Sequence, residues 1–152
     1  MTEPAAWLLD TNVVSEMMRS KPEPLVAGYL DQIAPEGIGL AAITVWEIFN
    51  GIGQLEVGSR REDIAHRFQN LLDEIFEHRI FDWTADDAKF CAKIMEDKRR
   101  LGESLDAHLP DAMLAGTAIR SGCGVVTRNE SEFRNTGIDI VNPWAVEFNP
   151  GK

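Results

Sequence analysis

Residues 7–18 read WLLDTNVVSEMM. Trp7, Leu8 and Leu9 form an apolar run that gives way abruptly to Asp10, Thr11 and Asn12. The run is bounded by Pro4 on one side and polar residues on the other, which predicts a buried strand with a loop at its carboxyl end. A helical pattern then occupies 13–18. The same alternation recurs along the chain. A second buried strand is expected over 38–43, followed by a helix from Thr44 to Leu55. Short strands are expected at 80–83, 124–127 and 138–141. Helices are expected over 25–33, from Ser59 to about His78, from Thr84 onward, and over 111–121. Between Leu101-Gly102 and Pro110 the sequence predicts a polar loop, and over 129–133 a turn and short helix. Strands alternating with helices define an α/β fold with a mostly parallel sheet.

Two helix starts match the capping box, in which Ser or Thr is followed three residues later by Glu. They are Thr44 with Glu47 and Ser59 with Glu62. Asn12 is a further candidate cap, for the helix that follows it, and that assignment leaves Asp10 without a structural duty.

The 152 residues suit one compact domain spanning 1–152. A chain of this size buries roughly 68–70% of its unfolded surface, enough for a core without disulfide or structural metal. Cys91 and Cys123 have no metal-ligand spacing and read as two free thiols in a reducing compartment. The sequence has no basic leader and no apolar run of membrane-span length, so a cytoplasmic protein with no membrane association is expected. The formal net charge of −10 argues against a broad basic surface for nucleic acid. It leaves room for a nuclease whose positive charge is carried by a divalent cation.

In open parallel sheets, sites gather beyond the carboxyl ends of the strands. That rule singles out Asp10 and the residues after Thr127. Four candidates follow: Asp10, Glu47, Asp111 and Asn129. Each has a structural alternative. Asp10 can cap a helix or form a turn, and Glu47 can close its capping box. Asp111 can serve as a first-turn acid favoured by the helix dipole, and Asn129 as a turn residue. Glu130 and Glu132 are neighbouring carboxylates that can face the same place. Three acids brought together make a site for Mg²⁺ or Mn²⁺, which take oxygen ligands and retain waters. The natural chemistry of such a site is activation of water against a phosphodiester.

The blocks LLDTNVVSE (8–16), ITVWEIFNGI (43–52), PDAMLAGTA (110–118), VVTRNESEF (125–133) and TGIDIVNPW (136–144) occur in the order and spacing of the PIN-domain family. The chain resembles its VapC-type ribonuclease toxins over nearly its whole length. The resemblance implies a three-layer α/β/α sandwich around a parallel sheet and an acidic pocket for one or two Mg²⁺ or Mn²⁺ ions. Asp10, Glu47 and Asp111 match the family's first three acids. Asn129 falls where many members carry a fourth acid and others asparagine. Thr127 and Asn12 match polar residues that support the pocket. The implied reaction is metal-dependent hydrolysis of RNA that leaves a 5′-phosphate and a 3′-hydroxyl. The implied partners are a small VapB-like antitoxin and a second copy of the chain, as a homodimer.

Arg128, Arg99 and Arg100 are candidates for RNA phosphate contacts or, equally, solvated basic residues. His66, His78 and His108 have no triad or zinc spacing. Trp7, Trp46, Trp83 and Trp144 are expected in the core or at an interface. The alternative to a nuclease is a catalytically inactive PIN-fold module that binds RNA or protein. A third class, the aspartate-nucleophile phosphatases, fits less well, because Asn12 stands where many of them carry a second carboxylate.

Overall fold

The computed structural model describes residues 5–103 and 109–146. His108 and most of the polar loop expected before Pro110 lie outside these residues. Five short strands build one sheet: β1 (Trp7–Leu9), β2 (Ile38–Ala41), β3 (Ile80–Phe81), β4 (Gly124–Val126) and β5 (Ile140–Val141). Their order is β3-β2-β1-β4-β5, and every pairing is parallel. The helices are α1 (Thr11–Met17), α2 (Pro24–Ile33), α3 (Ala42–Gly53), α4 (Ser59–Glu74), α5 (Ala85–Arg100) and α6 (Leu109–Ser121). Short 3₁₀ segments lie at Ala34–Glu36 and Glu130–Phe133.

The strands read as unbroken apolar runs because both faces of the sheet are covered. Successive side chains point to opposite faces, and the core divides accordingly. Leu9, Leu40 and Val126 pack with Val13, Val14, Val26, Leu30, Ile48 and Phe68, which come from α1 to α4. Their strand neighbours Leu8, Ala41 and Val125 pack on the other side with Cys91, Ile94, Leu114, Ala115 and Ala118 from α5 and α6. This is the three-layer α/β/α sandwich that the sequence led us to expect. Trp7 and Trp144 pack against the core, whereas Trp46 is 56% exposed and Trp83 37%. Both cysteines are free and buried. Among the described residues, no helix is long and apolar enough to cross a membrane.

Three expected caps are corrected. The helix expected at Thr44 starts at Ala42, with Ala41 at the cap position and no capping side chain. Thr44 is therefore inside the first turn, fully buried, and its hydroxyl has no hydrogen-bond partner. The box at Ser59 fails in a similar way. Gly58 takes the cap position, and the Glu62 amide donates to the Gly58 carbonyl instead of pairing with a serine side chain. The cap of α1 is Asp10, not Asn12. Chain entry explains all three, since each helix takes its first turn from the backbone direction leaving the strand or glycine before it. Several ends also move: the second strand stops at Ala41, α4 ends at Glu74, and β3 and β5 have two residues each.

The Ala-rich segment packs against α5 at backbone distance. A Cβ on Gly116 would stand 2.6 Å from the Asp87 carbonyl oxygen and 3.2 Å from the Cys91 nitrogen, so only glycine permits this approach. Close packing brings together a buried ion pair. Asp87, fully buried, accepts from Thr84 Oγ1 (2.8 Å), Thr117 Oγ1 (2.8 Å) and Arg120 Nε (2.5 Å). Arg120 Nη2 also donates to the Asp82 carbonyl at 2.8 Å. Burial pushes the Asp87 carboxyl up, but the hydrogen bonds from Arg120, Thr84 and Thr117 outweigh it and hold the group below its usual range.

Candidate active site

The chain runs β1, β2, β3 toward one edge of the sheet and then returns to place β4 on the other side of β1. The carboxyl ends of β1 and β4 therefore flank the point where strand order reverses, the place where α/β sheets open a crevice. Asp10 follows β1 there and Thr127 follows β4. The Asp10 amide donates to the Val126 carbonyl at 2.9 Å, extending the ladder one residue beyond the strand.

Asp10 is 3% exposed and its two oxygens do different work. Oδ1 caps α1 by accepting from the Thr11 amide at 2.8 Å. Oδ2 accepts from Thr127 Oγ1 at 2.7 Å and from Asn12 Nδ2 at 3.4 Å. Thr127 and Asn12 thus support Asp10, as the family resemblance implies. Burial raises the Asp10 pKa, and the bonds from Thr127, Thr11 and Asn12 oppose that rise.

Glu47 lies in the second turn of α3 and does not close a capping box. Thr11 Oγ1 donates to its Oε1 at 3.1 Å, tying α1 to α3. Burial raises its pKa, the Thr11 bond lowers it, and the Asp10 charge raises it further. Asp111 sits in the first turn of α6. Its carboxyl is pushed up to about 7, by burial first, then by the charges of Asp10 and Glu47, with Lys98 opposing. The charge of Asp10, at the end of β1, is thus felt at Glu47 of α3 and at Asp111 of α6.

Asn129 stands at the end of the same strand as Thr127, and its amide donates to Thr127 Oγ1 at 3.0 Å. Its side chain is exposed and caps nothing in the 3₁₀ segment that follows. Glu130 accepts from Asn142 Nδ2 at 3.3 Å.

Two contributors had no clear signal in the sequence. Lys98 is 4% exposed, donates to the Glu132 carbonyl at 2.9 Å and pairs with Glu103 at 3.5 Å. It is the cation that acts on Asp111, while its neighbours Arg99 and Arg100 drew attention by their exposed charge. Thr11 bridges two acids through its amide to Asp10 and its hydroxyl to Glu47. Only its place between Asp10 and Asn12 marked it.

The donor set suits a hard divalent cation: carboxylate oxygens whose mutual repulsion is incompletely offset. Among the described residues, no three acidic, imidazole or thiol groups are arranged to bind one ion directly. Carboxylate oxygens are the donors that Mg²⁺ takes beside retained waters.

An all-parallel five-stranded sandwich with a buried aspartate, Asp10, at its topological switch point defines a class, and the PIN-domain model matches residues 7–138. The chain belongs to the PIN-domain family. It is 31% identical over 137 residues to the VapC ribonuclease Y4jK of Sinorhizobium fredii, covering 90% of this chain and 96% of that protein. It is also 31% identical over 137 residues to toxin FitB of Neisseria gonorrhoeae, covering 90% of this chain and 97% of FitB. A solved structure of FitAB bound to a DNA fragment superposes with a TM-score of 0.82 at 30% identity, over 94% of this chain and 99% of the matched one.

Proposed function

We propose that this chain is a divalent-cation-dependent endoribonuclease and the toxin of a toxin–antitoxin pair. The observation that carries the reading is the partly buried Asp111 carboxyl, pushed up to about 7 by burial first and then by the charges of Asp10 and Glu47. Relatives named as a ribonuclease and as a toxin support the same reading, and the FitAB complex supports an antitoxin partner. Assembly as a homodimer is part of the proposal.

Asp10 and Asp111, with Glu47, would hold Mg²⁺ or Mn²⁺ together with water. The ion supplies Lewis-acid activation of water and charge neutralisation at the phosphodiester. The protein's own part is positional. Thr127, Asn12 and the Thr11 amide fix the Asp10 carboxylate in one orientation. Thr11 Oγ1 orients Glu47, which would bind the ion or orient the attacking water. Asn129, at the strand end beside Thr127, adds a neutral amide for the substrate or an ion-bound water. The Lys98 charge opposes the upward push on the Asp111 carboxyl.

The purified chain is expected to cleave single-stranded RNA with Mg²⁺ or Mn²⁺ and to stop when EDTA is added. Mapped ends should carry a 5′-phosphate and a 3′-hydroxyl. RNA binding without cleavage under either metal would identify an inactive binding module and overturn the nuclease reading.

A further inference from the structure

Arg128 follows Thr127, and its guanidinium lies over the Trp144 ring with its Cζ 4.8 Å from the ring centroid. Its backbone is fixed as well. The Arg128 amide donates to Asn12 Oδ1 at 3.1 Å, and Asn12 Nδ2 reaches Asp10 Oδ2 at 3.4 Å. Trp144 is held in turn, since its amide donates to Asn142 Oδ1 at 3.0 Å. The arginine therefore sits on a short hydrogen-bonded path from Asp10, with its guanidinium carbon over an indole.

Stacking of this kind orients a guanidinium while leaving its edge N–H groups free to donate. Four other arginines of the chain use those groups in ion pairs. Arg120 is spent on Asp87, Arg19 on Glu16, Arg67 on Asp63, and Arg100 on Glu96. Arg128 makes no ion pair among the described residues, and it is exposed. Its charge is felt at Glu16, whereas the cation felt at Asp111 is Lys98. Its backbone joins the hydrogen-bond network of Asp10.

We propose that Arg128, oriented by Trp144, is a substrate-positioning residue that grips an RNA phosphate flanking the scissile one. The proposal rests on the ribonuclease reading. A strongly acidic chain needs a local cation to hold a polyanion in register, and a pre-oriented arginine fork matches phosphate oxygens. A contact to a flanking phosphate serves binding and register while the acids serve the chemistry.

The test uses the full chain and a fluorescent single-stranded RNA, followed by anisotropy across a salt series and by steady-state cleavage. Arg128→Gln is expected to raise Kd and KM about tenfold with little change in kcat. The slope of log Kd against log salt should become shallower by about 0.7, the contribution of one phosphate contact on a single strand. Arg128→Lys should keep the slope and recover part of the affinity. Trp144→Leu should weaken binding while leaving the slope intact, because the charge remains but is no longer oriented. Unchanged Kd, KM and slope in Arg128→Gln, with a wild type that cleaves, would overturn the proposal alone. A wild type that binds RNA without cleaving, with the slope still shallower in Arg128→Gln, would overturn the nuclease reading and leave the phosphate contact standing. Absence of RNA binding by the wild type would overturn both.

Discussion

Asp111→Asn is expected to abolish RNA cleavage and, in the absence of divalent cations, to make the folded protein more stable at neutral pH. The two effects have one cause. Burial and the charges of Asp10 and Glu47 raise the Asp111 carboxyl from 3.8 to about 7. An acid whose folded pKa is raised binds its proton more tightly in the native state than in the unfolded one. Stability is then greatest below the unfolded pKa and is lost as pH rises from about 4 toward 7. At pH 7.5 the wild type carries that full penalty, and asparagine removes it. With solvent screening at a partly open site, the gain is on the order of 2 kcal/mol. Loss of one charge-stabilising group at a reacting phosphodiester costs about 10²-fold or more in rate. Thermal melts in EDTA from pH 5 to 8, beside cleavage assays, check both effects. Added Mg²⁺ should stabilise the wild type and leave Asp111→Asn nearly unchanged. Wild-type cleavage by the variant would remove Asp111 from the site.

The second large effect is structural. Arg120→Met leaves Asp87 ionised and fully buried without its main partner, which costs about 3–5 kcal/mol. Urea unfolding is expected to show a lower midpoint of that size. Asp87→Asn combined with Arg120→Met should recover much of the loss, since the stranded charge is then absent. The pH dependence has the opposite sign to that of Asp111. A carboxyl held below its usual range contributes stability above the unfolded pKa, and that contribution is lost as pH falls through the folded value. The wild type should therefore lose stability in acid, below about pH 4, and the double variant should lose less. Equal stability of Arg120→Met and wild type at pH 7 would mean that the pair does not hold α5 to α6.

The architecture was legible because it rests on periodicity. Leu8-Leu9, Leu40-Ala41 and Val125-Val126 are apolar on both faces, and only a sheet covered on both sides buries them all. The acids were legible from their position next to strand ends and from the family blocks. The failures have a common origin in tertiary direction. Thr44-x-x-Glu47 has the form of a capping box, yet α3 begins two residues earlier, and Glu47 meets Thr11, 36 positions away in the chain. Asp87 and Arg120 are separated by 33 positions, and their pairing depends on Gly116 letting two helices touch. Arg128 looked like any exposed cation until the fold brought Trp144 beneath it.

Asp10 has a practical bearing on how inert forms of this chain are made. One of its oxygens secures the first turn of α1 while the other faces Thr127, so truncation to alanine removes a fold anchor together with a reactive group. A silent alanine variant would leave frayed protein and disabled chemistry indistinguishable. Asparagine preserves an acceptor for the Thr11 amide; it removes the charge and replaces the second acceptor by an N–H group that the Thr127 hydroxyl can receive but Asn12 Nδ2 cannot, so it separates chemistry from folding more cleanly than alanine.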